Sequence, residues 1–172
     1  MSYADHIFIN MCKDIIENGT NTEGEKVRPK WEDGTSAYTI KQFGVVNRYD
    51  LSKEFPALTL RRTAIKSCTD EMLWIWQQKS NNINDLLCHI KSHTVCTRIQ
   101  MHLMQIRMYI NISHYTPTVR IILAANNWNV CQYAVLMHML AQVCDMQVGE
   151  LVHVIADAHI YDRHIPLVKE LI

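Results

Sequence analysis

The stretches AANNWNVCQY (residues 124–133) and GELVHVIADAHIYDRH (residues 149–164) decide the fold of this 172-residue chain. The first opens a run from Trp128 to Val143 that is apolar on nearly every side, which is typical of a helix buried in a sizeable domain. The second contains Leu151 to Ala156, which reads as a buried strand, followed by an Asp-x-His-x-Tyr cluster. Amide, imidazole and phenol groups in this order suit a site that holds a nucleotide.

Length and composition bound the class of protein. A chain of 172 residues that is 48% apolar is long enough for one domain with a real core, and we expect residues 1–172 to form it. The N-terminus lacks the apolar core of a signal peptide, and no run approaches the ~18 apolar residues of a membrane helix, so we expect a cytoplasmic protein without a membrane partner. The six cysteines are then expected to be reduced, and a net charge of zero argues against a nucleic-acid partner.

The rest of the chain supplies both helices and strands. The apolar spacing of Ile7, Phe8, Met11 and Ile15 predicts a helix, with Gly19 just past its end. Helices and strands are interspersed without a regular strand–helix repeat, which favours an α+β fold. The other predicted elements are strands over 38–49 and 55–60, a helix over 63–78, and a short helix over 164–171 with Pro166 in its first turn.

The middle of the chain has an unusual composition. Residues 1–85 contain twelve Asp and Glu, whereas no acidic residue occurs from Leu86 to Cys144. This segment mixes histidines, methionines and a few basic residues without a helical or strand period. Its local spacing of Cys88, His89, His93 and Cys96 leaves open a zinc site. Contact with RNA and a methionine-rich partner-binding surface over 101–108 are further alternatives.

Five separated blocks carry a family resemblance. They are RPKWEDGTSAYT (28–39), RYDLSKEFPALTL (48–60), EMLWIWQQKSNNINDL (71–86), NNWNVCQYAVLMHMLAQV (126–143) and ADAHIYDRH (156–164). In this order they resemble thymidylate synthase of the folate-dependent type, over about residues 1–90 and 124–172, with 91–123 anomalous. The resemblance implies an incomplete thymidylate synthase-like mixed β-sheet with flanking helices, in a homodimer whose sheets pack back to back. It also implies reductive methylation of dUMP to dTMP, with methylenetetrahydrofolate as co-substrate and no metal.

Three residues match the family's site for the phosphate and the pyrimidine. Arg28 matches the phosphate-binding arginine, and a guanidinium fork suits a dianionic phosphate. Glu71 matches the glutamate that organises proton transfer at the pyrimidine carbonyl. Asn129 matches the asparagine that reads the uracil edge with one donor and one acceptor. The alternatives are a solvated charge for Arg28, a helix-surface acid for Glu71 and a helix N-cap for Asn129.

The strand end carries the sugar-binding match. His159 and Tyr161 match the pair that binds the deoxyribose hydroxyl, and alternation places both on one side of an extended segment, opposite Ile160. Asp157 lies on that same side, where it would support His159 by orienting its tautomer. A buried structural His–Tyr pair is the rival interpretation.

The family's nucleophile is the weakest match. That cysteine follows a proline, and no cysteine in this chain does; only Cys96 lies roughly the right distance before the asparagines at 126–129. The paired arginines, a Trp-containing segment after Ile90, an Arg-Ser-x-Asp stretch and the folate-closing C-terminal tail are also missing. Two functions are left open. One is a working enzyme that uses Cys96 or another thiol, and the other is an inactive remnant that binds nucleotide or pairs with a full-length subunit.

The anomalous segment has two explanations. Val119-Arg120-Ile121 can be encoded so that another reading frame gives Ser-Gln-Asp, which is the family's missing Ser-x-Asp. We therefore hypothesise that residues from about 91 to 121 are partly an out-of-frame translation of a gene that has also lost coding sequence. The alternative is divergence of a loop-rich insertion. The nucleotide sequence of this region distinguishes the two.

Overall fold

The computed structural model describes residues 1–78, 110–111 and 126–172, with side chains over 1–76 and 126–172. The described parts contain helices and a mixed sheet, so the α+β prediction is confirmed. The elements in chain order are α1 (Tyr3–Asn18), β1 (Thr20–Asn21), β2 (Thr39–Asp50), α2 (Ile65–Leu73), a π-helical turn (Trp74–Gln78), β3 (Ile110–Asn111), α3 (Asn126–Val143), β4 (Glu150–Tyr161), a 3₁₀ turn (Asp162–His164) and α4 (Ile165–Leu171).

Helix α1 begins and ends with specific contacts. The Ser2 hydroxyl accepts from the Asp5 N–H at 3.1 Å, and the Ser2 N–H donates to the Asp5 carboxylate at 2.7 Å, which is a capping box. Gly19 follows the helix in an extended conformation, with φ −72°. A Cβ at this position would lie 2.3 Å from the Ile15 carbonyl oxygen, so close approach explains the glycine.

The sheet has the strand order β1-β2-β4-β3. β2 pairs antiparallel with β1 and β4, and β3 pairs parallel with β4. The long β2–β4 pair runs from Thr39 opposite Tyr161 to Asp50 opposite Glu150. β4 is longer than the predicted strand over 151–156, so the Asp-x-His-x-Tyr cluster lies within the strand rather than after it.

The face of this strand pair that points into the core changes part-way along. Leu151 and Ile155 are buried in the core in the first half of β4, whereas Ala158 and Ile160 are buried there in the second half. The change occurs level with Gly44, which has φ +73°, a conformation that favours glycine. His159 and Tyr161 therefore lie on the sheet face that points away from the core helix α1.

Residues 55–60 were expected to form a strand, and this prediction is wrong. The segment is irregular because side chains satisfy its backbone groups. Asp5 accepts from the N–H groups of Thr59 (2.8 Å) and Leu60 (3.3 Å), and Asn127 accepts from Leu58 N–H (3.3 Å). With these partners on α1 and α3, the segment needs no neighbouring strand.

The core lies between α1, the sheet and α3. Helix α3 matches its prediction over 128–143 but begins at Asn126, and α4 with its early Pro166 is also confirmed. The predicted helix over 63–78 is α2 and the following π-helical turn. Within the described ranges, no helix is long and apolar enough to cross a membrane. The largest fully buried apolar side chains of the core are Phe8, Ile15, Leu151, Val130 and Val168.

Candidate active site

Glu71 is buried where α2 packs against α3. Its Oε2 accepts from the Trp128 indole N–H at 2.7 Å and from the Gln132 amide N–H at 2.8 Å. The Gln132 amide also donates to the Cys68 carbonyl at 3.2 Å, which ties the two helices together. A buried carboxylate needs such donors because its desolvation is costly. The alternative of a helix-surface glutamate is excluded, since only 5% of Glu71 is exposed.

The asparagines at the start of α3 have different surroundings. Asn127 is buried, donates to the Pro56 carbonyl at 2.9 Å and accepts from the Thr63 hydroxyl at 2.7 Å. It therefore fixes α3 to the segment before α2. Asn129 is partly exposed and lies in the first turn of the helix rather than at its cap, so the N-cap interpretation is wrong. Its neighbour Trp128 contacts Glu71, which brings Asn129 and Glu71 to one end of α3.

The end of β4 places Asp157, His159 and Tyr161 on one side of the strand, as alternation predicted. The His159 and Tyr161 ring centroids are 5.4 Å apart in an edge-to-face arrangement. Asp157 Oδ1 is 3.4 Å from His159 Nδ1, while the Asp157 side chain is 49% exposed. Burial, and secondly the Asp157 carboxylate, raises the pKa of Tyr161. Tyr161 thus keeps its hydroxyl proton and can donate a hydrogen bond.

The loop that carries Arg28 folds back against this strand end. Arg28 is exposed, directly before Pro29, and the Lys30–Ser36 bridge closes the turn. Trp31 packs edge-on against Tyr161, with the ring centroids 5.9 Å apart. The structure therefore brings the predicted phosphate-binding loop to the predicted sugar-binding pair.

Three of the four described cysteines are poorly suited to nucleophilic attack. Cys12, Cys68 and Cys131 are buried free thiols, and burial raises their pKa values to about 12, 11 and 12. A thiol attacks as the thiolate, which these sites disfavour. Cys96, like the proposed zinc ligands Cys88, His89 and His93, lies outside the described residues. Among the residues that are described, no three His, Cys, Asp or Glu side chains form a group able to hold a metal ion.

Sequence reasoning missed the residues that hold the site in place. Trp128 and Gln132 are four positions apart on α3, a spacing that places both on one helix face. That spacing was a usable signal, but the apolar character of the helix concealed it. The contacts of Trp31 depend on residues about 130 positions away, which no local pattern reveals.

Comparison with known proteins decides the family. The sequence model described as "Thymidylate synthase" matches residues 6–94 and 88–172 of this chain, which is nearly its whole length. The chain belongs to the thymidylate synthase family. By this resemblance it is classed with methyltransferase enzymes. The predicted family is thereby confirmed.

Individual relatives agree with the assignment. The chain is 28% identical over 233 residues to thymidylate synthase 1 of Bacillus subtilis, covering 98% of this chain and 83% of the relative. It is 45% identical to the thymidylate synthase of Streptococcus pneumoniae over 87 residues, which covers 50% of this chain and 30% of the relative. The solved structure of thermostable thymidylate synthase A from Bacillus subtilis matches the fold with a TM-score of 0.79 and 24% identity, over 98% of this chain and 83% of that one.

The chain is shorter than the stretch of its relative that it matches. The matched span of 233 residues exceeds the 172 residues of this chain. The Bacillus subtilis relative therefore has residues within the matched span that have no counterpart here. Their place in the chain, expected between Ile90 and the asparagines at 126–129, stays a prediction.

Proposed function

We propose that this thymidylate synthase family chain binds dUMP and carries out its reductive methylation to dTMP. The observation that carries the proposal is the buried Glu71 carboxylate, which accepts a hydrogen bond from Trp128, the residue that precedes Asn129 in α3. A buried carboxylate and a partly exposed amide at the same end of one helix are groups that can protonate and read a pyrimidine. Family membership supplies the substrate class.

Each residue has a proposed role that its surroundings support. Asn129 pairs with the uracil edge, and Glu71 organises proton transfer at the pyrimidine carbonyl. His159 and Tyr161 bind the deoxyribose hydroxyl, with Asp157 close to the imidazole. Arg28 is exposed and makes no hydrogen bond or ion pair with the described side chains, so its guanidinium is available to a phosphate.

The chemistry requires a thiol and a co-substrate. Methylenetetrahydrofolate supplies the one-carbon unit and the hydride, and none of the described residues is assigned to hold it. We assign the attack on the pyrimidine to Cys96, because it lies roughly the right distance before the asparagines at 126–129 and because burial disfavours the thiolate at 12, 68 and 131.

Tritium release from 5-labelled dUMP in the presence of methylenetetrahydrofolate tests this assignment. We expect release by the wild-type chain and loss of release in Cys96→Ala. Cys88→Ala is the matched control, since it removes a thiol from the same region and should retain release. Equal release by Cys96→Ala and the wild type would refute Cys96 as the nucleophile.

A second candidate function is nucleotide binding without catalysis. It is favoured by the raised pKa values of the buried thiols and by the missing family segments. Such a chain binds dUMP, or pairs with a full-length subunit, but releases no tritium. Saturable dUMP binding together with no release by the wild type would select this function over the enzyme.

We also propose that the chain forms a homodimer in the cytoplasm. Phe43 and Val46 are 67% and 51% exposed on the sheet face that points away from α1. Exposed apolar side chains on one sheet face fit a second copy packed back to back. Sedimentation of Val46→Glu tests this, with Arg48→Glu as a charge-reversal control on the same face. We expect Val46→Glu to weaken the dimer more than Arg48→Glu does. Equal weakening by the two variants would contradict the apolar contact.

A further inference from the structure

Arg163 joins the end of β4 to the loop at 28–37. Its guanidinium donates to the Asp33 carboxylate at 2.6 Å and to the Thr35 hydroxyl at 2.9 Å. The same group lies over the Trp31 ring, 4.8 Å from its centroid. One side chain therefore holds three residues of the loop.

The residues beside Arg163 strengthen this junction. Asp162 accepts from the Trp31 indole N–H at 3.1 Å and donates through its own N–H to the Tyr38 carbonyl at 2.9 Å. His164 packs edge-on against Trp31, with the centroids 5.7 Å apart. The Thr35 hydroxyl, and then the Arg163 guanidinium, lowers the pKa of Asp33, so the ion pair persists at neutral pH.

Backbone hydrogen bonds within the loop close it on itself. Trp31 N–H donates to the Thr35 carbonyl and Gly34 N–H to the Trp31 carbonyl, both at 2.9 Å. Gly34 has φ +83°, which permits the tight turn. Ala37 N–H donates to the Pro29 carbonyl at 3.0 Å, which closes the loop immediately after Arg28. Holding Trp31 and Asp33 thus fixes the direction in which the chain enters the turn at Arg28.

We propose that Arg163 is a positioning residue that holds the 28–37 loop so that Arg28 meets the nucleotide phosphate. The proposal rests on the proposed dUMP function and adds a residue to it. Arg163 does not touch the nucleotide, and its effect passes through Arg28. It therefore contributes to the binding of a phosphorylated nucleoside and not to the binding of the nucleoside alone.

The affinities of Arg163→Ala for dUMP and for deoxyuridine test the proposal. We expect roughly three- to tenfold weaker dUMP binding, from the loss of an exposed ion pair and a cation–π contact, with deoxyuridine binding unchanged. Adding Arg163→Ala to Arg28→Ala should weaken dUMP binding no further. Lys53→Ala is the matched control, because it breaks another exposed cation–carboxylate pair, at 2.8 Å to Asp50. Equal losses for both ligands, or additive losses in the double variant, would overturn the proposal.

Limited trypsin digestion of the ligand-free protein separates this proposal from the proposed function. Cleavage after Lys30 should become roughly three- to tenfold faster in Arg163→Ala than in the wild type or Lys53→Ala, because the loop opens more often. Unchanged cleavage would overturn the role of Arg163. If cleavage accelerates but the wild type binds no dUMP, Arg163 holds the loop and the nucleotide function is wrong.

Discussion

Asp5 provides a sharp test of how the first helix holds the segment before α2. The side chain is fully buried and accepts from Ser2, Thr59 and Leu60. Burial opposes ionisation of this carboxyl, but the hydrogen bonds from Thr59, Ser2 and Leu60 outweigh it and lower its pKa from 3.8 to about 2. Asp5→Asn removes the charge and places an amide N–H group beside the donors of Ser2, Thr59 and Leu60, which then lack one acceptor.

The magnitude follows from the shift in pKa. At about 1.4 kcal/mol per pH unit, lowering the pKa to about 2 stabilises the folded protein by about 2 kcal/mol at pH 7. A carboxyl whose pKa is lowered by folding stabilises the folded protein at pH values above its pKa in the unfolded chain. This stabilisation is lost as the pH falls from about 4 through 2. Asp5→Asn should therefore cost about 2 kcal/mol or more at pH 7, with a smaller deficit at pH 3.

Urea denaturation at pH 7, 4 and 3 measures this difference. Glu17→Gln is the control, since it neutralises an exposed acid on the same helix and should change the free energy of unfolding by less than ~0.5 kcal/mol. Equal urea midpoints for Asp5→Asn and the wild type at pH 7, or a deficit that does not shrink between pH 4 and pH 3, would refute the reasoning.

Three further predictions concern other parts of the structure. Burial lowers the pKa of His153 to about 4, so the wild type should lose up to about 3 kcal/mol of stability as the pH falls from 6.5 to 4. His153→Phe should flatten that part of a stability–pH curve, and an unchanged slope would contradict this. Gly19→Ala should lower the melting temperature, because a Cβ would lie 2.3 Å from Ile15 O, whereas Gly149→Ala, with open space, should not. Gln132→Met should destabilise by about 1.5–3 kcal/mol in urea, since buried Glu71 loses a donor; an unchanged midpoint would show that this hydrogen bond contributes nothing.

Local pattern predicted the long elements of the fold well. In α1 and α3 the spacing of the apolar residues indicates which sides of the helix are buried, so this spacing predicts both helices. The strand expected over 55–60 failed because its backbone partners are the side chains of Asp5 and Asn127. Those partners come from distant helices, so an alternating pattern at this segment could not reveal them.

The candidate site was predicted through resemblance more than through chemistry. Alternation alone placed His159 and Tyr161 on one side of β4, and their ring contact confirms this. The burial of Glu71 depends on α3 packing over it, which residues near Glu71 do not indicate. Arg163 was hidden for the same reason, because its partners Trp31 and Asp33 lie about 130 positions away.

Calorimetric titration with dUMP tests the central claim most directly. The chain should bind dUMP saturably, and Asn129→Ala should weaken the affinity roughly 10- to 100-fold through the loss of two hydrogen bonds. Asn18→Ala, which removes an exposed amide on α1, should bind as the wild type does. No saturable binding by the wild type, or equal affinity of Asn129→Ala and the wild type, would contradict the account.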